Sequence, residues 1–186
     1  MKTRNKILLS VVSISFFIFT ACTSSMKTLK TVPDVDLMRY TGKWYEIARL
    51  PNSFEKGLIC CTAEYSIRDD GKIKVTNTGR SEKDPAKVSS VTGKAWNPDK
   101  NEPGRLKVQF FWPFSGGYYI FHLDLKDYRY VLVGNPSRKY LWLLSRTPQI
   151  DTPLYDELLK IAAENGFATD QLIKVRQDCE PRTVQP

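Results

Sequence analysis

Four cysteines and one histidine are the residues of this chain best equipped for covalent or metal chemistry. A thiolate can attack a carbonyl, join a second sulfur or ligate zinc, and the first and last of these lean on histidines or on closely spaced cysteine pairs. Cys60 and Cys61 are adjacent, Cys179 lies far downstream and Cys22 far upstream, and His122 is remote from all of them. Neighbouring residues of a strand point to opposite faces, which disfavours a vicinal disulfide or a metal site from Cys60 and Cys61 but leaves both open. No G-x-S-x-G elbow, H-E-x-x-H helix, phosphate loop or dinucleotide glycine motif occurs, and a lone His122 removes every triad that does not use it. His122 shares a stretch with Tyr119 and Phe121 and reads as a packed wall residue. The chemistry to expect is therefore non-enzymatic, with no metal and no cofactor.

Cys22 has a different prospect. Lys2, Arg4 and Lys6 precede an apolar run from Ile7 to Phe19 that is too short to span a bilayer comfortably. Phe19-Thr20-Ala21-Cys22 then resembles a lipobox, in which the cysteine takes a diacylglycerol thioether before cleavage. Residues 1–21 are expected to be a lipoprotein signal peptide, Cys22 the lipid-attachment site and 22–33 a lipidated tether; an ordinary signal peptide cut near Ala21 is the alternative. Thr23 is not the Asp that retains lipoproteins in the inner membrane, so the resemblance implies an outer-membrane anchor on the periplasmic side. About ten extended residues of tether would reach roughly 35 Å. In that oxidising compartment Cys60, Cys61 and Cys179 are an odd number, so one thiol stays unpaired.

Composition excludes little else. Without the three cationic residues of the leader, the 28 Lys and Arg fall to 25 against 20 Asp and Glu, and the net charge drops from +8 to +5. The cations are scattered singly, which gives no nucleic-acid signature. Turn signals divide the body into strands at Trp44–Leu50, Ile59–Arg68, Lys72–Ser81, Val88–Trp96, Arg105–Trp112, Tyr118–Leu123, Tyr130–Gly134 and Lys139–Arg146. Asp69-Asp70-Gly71 marks one hairpin and Pro113 to Gly117 another. Leu154, Leu158, Ile161 and Ala162 then recur at helical spacing, with Asp151 or Thr152 as cap, Pro153 in the first turn and Gly166 at the stop. Leu172–Val175 reads as a short last strand along the outside. The expected fold is all-β: an eight-stranded antiparallel up-and-down barrel over residues 34–180, one C-terminal α-helix packed outside, and a tail at 181–186. Closure of the barrel removes both sheet edges.

Gly42-Lys43-Trp44-Tyr45-Glu46-Ile47-Ala48-Arg49, Phe54-Glu55-Lys56-Gly57, Ala63 to Gly71 and Tyr140 to Pro148 resemble the lipocalins, in particular the branch of bacterial outer-membrane lipocalins with apolipoprotein D as a cousin. The resemblance runs from about Pro33 to Asp178. It implies a structural signature of Gly42, Trp44 and Arg146, in which the glycine admits the turn, the indole plugs one end and the guanidinium lies on its face. It also implies a disulfide between Cys60 and Cys179. Strand alternation agrees, since Cys60 falls with Thr62, Glu64 and Ser66 while Cys61 falls with Ala63, Tyr65 and Ile67. Asp124 and Tyr128 stand where the family carries a structural Asp and Tyr before the seventh strand, here one residue further apart.

The resemblance implies an open cup that binds or carries a small hydrophobic ligand, a fatty acid or a lysophospholipid, in membrane maintenance or stress. Tyr65, Trp96, Phe110, Trp112, Tyr119, Phe121 and Trp142 are the candidate ligand-binding residues, although alternation leaves open which half of each strand faces inward. A structural lipoprotein with a packed, ligand-free barrel is the competing reading, and a homodimer is left open. If the hairpin around Pro113 sits at the rim, Trp112 and Phe114 could touch membrane lipid.

Overall fold

The computed structural model describes residues 28–179, so the signal segment, Cys22, the first part of the tether and the tail lie outside the described residues. Eight strands follow one another: β1 (Gly42–Arg49), β2 (Leu58–Ile67), β3 (Ile73–Ser81), β4 (Val88–Trp96), β5 (Arg105–Gln109), β6 (Gly116–Leu123), β7 (Tyr130–Gly134) and β8 (Leu141–Ser145). Each pairs antiparallel with its sequence neighbour, and β1 pairs with both β2 and β8, which closes the barrel. A short helix α1 (Leu37–Tyr40) precedes β1 and was not anticipated; Asp36 caps it through its carboxylate.

Helix α2 (Thr152–Glu164) begins after the Asp151 cap and places Pro153 in its first turn, where a missing N–H costs nothing. Its buried stripe of Tyr155, Leu158 and Ala162 packs on Ala48, Leu132, Leu141 and Leu143 outside the wall. Gly166, at φ +85°, lets the chain leave the helix. The expected outer strand is shorter than Leu172–Val175 and joins the sheet. β9 (Ile173–Lys174) pairs with Ala48 and Arg49 of β1, on the stretch where β2 has diverged.

The sheet thus has two apolar faces. Inside lie Trp44, Ala63, Tyr65, Ile73, Val75, Ala95, Leu106, Ile120, Val131, Val133 and Leu144. Outside lies the layer under α2. Period two dictates this division, and each bulge resets it locally. Such breaks occur in β1 between Glu46 and Ala48, in β2 between Ile59 and Thr62, and in β6 between Ile120 and His122. Cys60 sits at the β2 break with φ +51°. Its sulfur leaves the wall to bond Cys179, while Cys61 stays buried as a free thiol.

One end of the barrel is closed by side chains around Trp44, which is fully buried. The Arg146 guanidinium lies 3.8 Å from the centre of the Trp44 ring. It donates to the carbonyls of Lys43 (2.9 Å), Arg39 (2.8 Å), Tyr40 (3.2 Å) and Tyr128 (3.2 Å). The indole in turn donates to the Tyr40 carbonyl at 2.9 Å. Gly42 has φ +91°, a conformation that side chains rarely adopt, so the glycine makes the turn that brings the chain against the Arg146 guanidinium. The Tyr128 hydroxyl accepts from the Asp36 N–H at 2.9 Å, and its ring carries the Arg39 guanidinium at 4.2 Å. Arg146→Ala removes the stacked cation and four carbonyl contacts, so a loss of about 2–4 kcal/mol is expected, lowering the midpoint of thermal unfolding by roughly 5–15 °C.

The Cys60–Cys179 bond spans 119 residues of sequence. In the chain-entropy account a loop of that length contributes about 4–5 kcal/mol. Cys179→Ser should therefore lower the urea midpoint substantially, and reduction should do nothing further to that variant.

Candidate functional site

The strands run alternately from the closed end to the other, so the loops after β1, β3, β5 and β7 gather at the mouth opposite Gly42. The hairpin around Pro113 is one of them and does lie at the rim. Below it, the inner face combines three layers.

The deepest layer is a cluster of phenols. The Tyr118 hydroxyl shares hydrogen bonds with those of Tyr40 (2.7 Å) and Tyr65 (2.8 Å). Burial pushes all three phenols above their ordinary range, so they remain neutral donors and acceptors. Above them Val75, Ala95, Val108, Phe110 and Trp142 line the wall. Phe110 has space because it lies over Gly93, where a Cβ would come within 2.7 Å of its ring. Val108, Phe110 and Trp142 point inward yet stay only half-buried. Asn77, opposite Ala63 on this face, buries a side-chain oxygen with no hydrogen-bond partner among the described residues. A water or a ligand hydroxyl would satisfy it.

The third layer is charged. Glu46 and Arg49 are three apart and would face opposite ways in a regular strand; the β1 bulge turns both inward. Arg49 donates to Glu46 Oε1 at 2.6 Å and to the carbonyls of Glu55 (2.8 Å) and Leu58 (3.0 Å). The nitrogen that meets Glu46 also reaches the Cys61 sulfur at 3.7 Å, and Nε lies 4.0 Å from Glu55 Oε2. Glu55, carried by the loop after β1, accepts from the Trp142 indole at 3.1 Å and pins that loop to the mouth. Burial, reinforced by Glu55 and opposed by Arg49, pushes the Glu46 carboxyl up to about 8. Burial likewise pushes the Cys61 thiol up to about 12, which leaves it a poor nucleophile.

Of the seven candidates for the lining, Tyr65, Phe110 and Trp142 point into the barrel. Tyr119 and Phe121 do not: Tyr118 and Ile120 take the inward positions, and the other two join the outer layer, where Phe121 stacks on Phe167 at 5.0 Å. Trp96 is also outside, because Ala95 faces in opposite Val108 and Trp96 pairs with the exposed Lys107. Trp112 lies beyond the end of β5, which stops at Gln109 rather than Trp112, and its ring is exposed. Tyr40, Tyr118, Asn77, Glu46 and Arg49 were not anticipated. Inward parity would have identified Tyr118 had Leu106 been taken as the anchor, whereas Arg49 depends on a bulge. His122 stacks on Tyr130 on the outer side, and burial lowers its basicity. Among the described residues, Cys60, Asp178 and Cys179 gather as metal ligands would, but both sulfurs are consumed by the disulfide.

A lipocalin-like domain profile matches residues 35–177. The outer membrane lipoprotein Blc of Vibrio cholerae is 45% identical over 156 residues, covering 84% of this chain and 91% of that protein. Its counterpart in Escherichia coli K12 is 42% identical over 163 residues, covering 87% and 91%. Among solved structures, insecticyanin of the tobacco hornworm Manduca sexta superposes with a TM-score of 0.64 at 24% identity, covering 81% of this chain and 85% of that one, which speaks for the fold alone.

The raised Glu46 carboxyl gives a signed pH dependence. Unfolded, the group ionises near 4.3. Between there and about 8 the native state holds a proton that the unfolded chain has released, so this group's contribution to stability falls as pH rises. His122 works in the opposite direction, and the comparison with Glu46→Gln cancels it. Wild type should lose stability relative to Glu46→Gln between pH 5 and 8 in parallel urea titrations.

Proposed function

Because the chain belongs to the lipocalin family, we propose that it binds and carries elongated apolar ligands, fatty acids or lysophospholipids, from a lipid anchor on the periplasmic side of the outer membrane. Membrane maintenance or stress is the setting this suggests. Relatives of more than 40% identity are outer membrane lipoproteins by name, which supports the location and the modification of Cys22. The reading is of a binding protein rather than an enzyme, as suits the family.

The observation that carries it is the half-buried state of Val108, Phe110 and Trp142. Side chains that fill a barrel bury one another; these three face inward and keep accessible apolar surface. An acyl chain would cover that surface at about 25 cal/mol per Å². Its polar end would stay at the mouth, where Tyr140, Lys56 and Lys139 are exposed. Trp44 and Arg146 hold the far end and touch no ligand.

Native mass spectrometry of the form lacking residues 1–22, purified from the periplasm, tests this directly. The expected result is one lipid per barrel, or one per pair of barrels if a dimer forms; a protein that is empty and takes up none on titration would be a packed structural barrel. Phe110→Ala should weaken fatty-acid binding about tenfold, the equivalent of 1.4 kcal/mol, while Tyr119→Ala on the outer face should leave it unchanged.

A further inference from the structure

The apolar surface that the fold leaves uncovered is concentrated at the mouth. Phe111 is 72% exposed, Trp112 86% and Phe114 77%, all in the loop between β5 and β6. Phe54, 59% exposed in the loop after β1, lies against Tyr140 and Trp142 on the same rim. Burying aromatic rings is the largest apolar gain a folding chain has, so four held in water on one rim require a partner. The mouth loops carry Lys56, Lys83, Lys87, Arg138 and Lys139 against Glu55, Glu82 and Asp84, the last paired with Lys87. The loops that bear the rings and their neighbours at the mouth thus carry a cationic excess. The loops of the closed end balance Asp69, Asp70, Asp99, Glu102, Asp124, Asp127 and Asp151 with Arg68, Lys72, Lys100, Lys126, Arg129 and Arg146, and carry no exposed aromatic ring.

The path of the N-terminal arm points the same way. From α1 at the closed end, traced backwards, the Val32 N–H bonds to the Ile120 carbonyl and Thr31 passes Gly104. Leu29 is buried in the outer layer with Leu141, and Thr28 and Leu29 border a surface hollow that runs from Glu102 and Arg105 to Tyr119, Pro136 and Arg138. Pro136 belongs to the turn after β7, at the mouth, and touches the site of Gly117, three residues from Phe114. The arm has thus climbed the outside of the barrel toward the rim. Thr28 stands only six residue steps from Cys22. Fully extended they reach about 20 Å, so the acyl chains enter the bilayer close to the ring of aromatics.

We propose that the mouth of the barrel docks on the phospholipid surface its own anchor enters, seating Phe54, Phe111, Trp112 and Phe114 at headgroup depth. Their rings gain apolar surroundings, the lysines lie over anionic headgroups, and the anchor makes the encounter intramolecular. Docked in this way, the cup opens toward lipid, and a ligand passes between bilayer and barrel without crossing water. The proposal rests on the anchor at Cys22, not on which ligand the barrel holds.

The test uses the full-length lipoprotein, its acylated N-terminal peptide verified by mass, in vesicles of phosphatidylethanolamine and phosphatidylglycerol whose acyl chains carry bromine. Tryptophan quenching by the bromolipid should be at least twofold greater in wild type than in Trp112→Phe. Adding Phe114→Trp to that variant should restore it. Equal quenching in wild type and Trp112→Phe, with Trp112 still open to acrylamide, would overturn the docking. A Trp112 shielded from both quenchers in a protein that sizes as a dimer in mild detergent would overturn it in favour of a second copy. A chain found without acyl groups would overturn it together with the anchor. A barrel empty of ligand would leave the quenching result unaffected, so the two readings fail separately.

Discussion

Three separate stretches of backbone converge on the Arg146 guanidinium: the α1 end at Arg39 and Tyr40, the start of β1 at Lys43, and the turn before β7 at Tyr128. Lys43 also pairs with Glu64 of β2 and the Tyr40 carbonyl also takes the Trp44 indole N–H, so the cation ties the start of the sheet, the helix end and the indole into one floor. A planar cation with five donors suits the position where lysine, with a single ammonium, would not. It also lies on the π-face of Trp44, so the electrostatic and apolar requirements of the floor are met by one contact. Everything above depends on it, because the strands can splay into a cup only if their other ends are gathered.

Above that floor, the chain divides its apolar residues between two faces, and the division is what makes the protein more than a sheet wrapped on itself. Ala48, Leu132, Leu141 and Leu143 face α2, while Trp44, Val131, Val133 and Leu144 face the interior. β7 and β8 are therefore apolar on both sides, which is why they lack a clean alternation in sequence.

That double burial marks the limit of what the sequence could tell. Strand number, order and turn positions were legible, because Asp-Gly, Asn-Pro and Gly-Gly punctuate the chain where hairpins turn. The floor was legible too, from Gly42, Trp44 and Arg146, and so was the Cys60–Cys179 pairing through the family resemblance. Side-chain direction was not. Tyr118 and Tyr119, or Phe110 and Phe111, are chemically equivalent claimants to the interior, and only register decides between them. At Glu46–Arg49 the difficulty is greater still, since a one-residue bulge places an ion pair inside where ideal geometry would have put one member outside. The exposed rings of the β5–β6 loop were visible as residues, but their shared end with Phe54 emerges only from the closed topology.

The C-terminal segment carries a further consequence. β9 lies beside β1 where β2 departs, the Cys60 N–H bonds to the Arg176 carbonyl, and Gln177 donates to the carbonyls of both Glu46 and Cys61. With the disulfide, these contacts rivet the seam between β1 and β2 at the rim. The opposite wall is built differently: β4 and β5 share only three paired positions, all from Lys94 to Trp96 on the closed-end side, and among the described residues no disulfide or added strand spans that seam at the rim. The lip is cross-linked on one side and sparsely paired on the other, and the sparsely paired side carries Phe111, Trp112 and Phe114. Sparse pairing and apolar surface thus coincide, so a rim seated on lipid would bear on the part of the wall that the fewest cross-strand bonds hold.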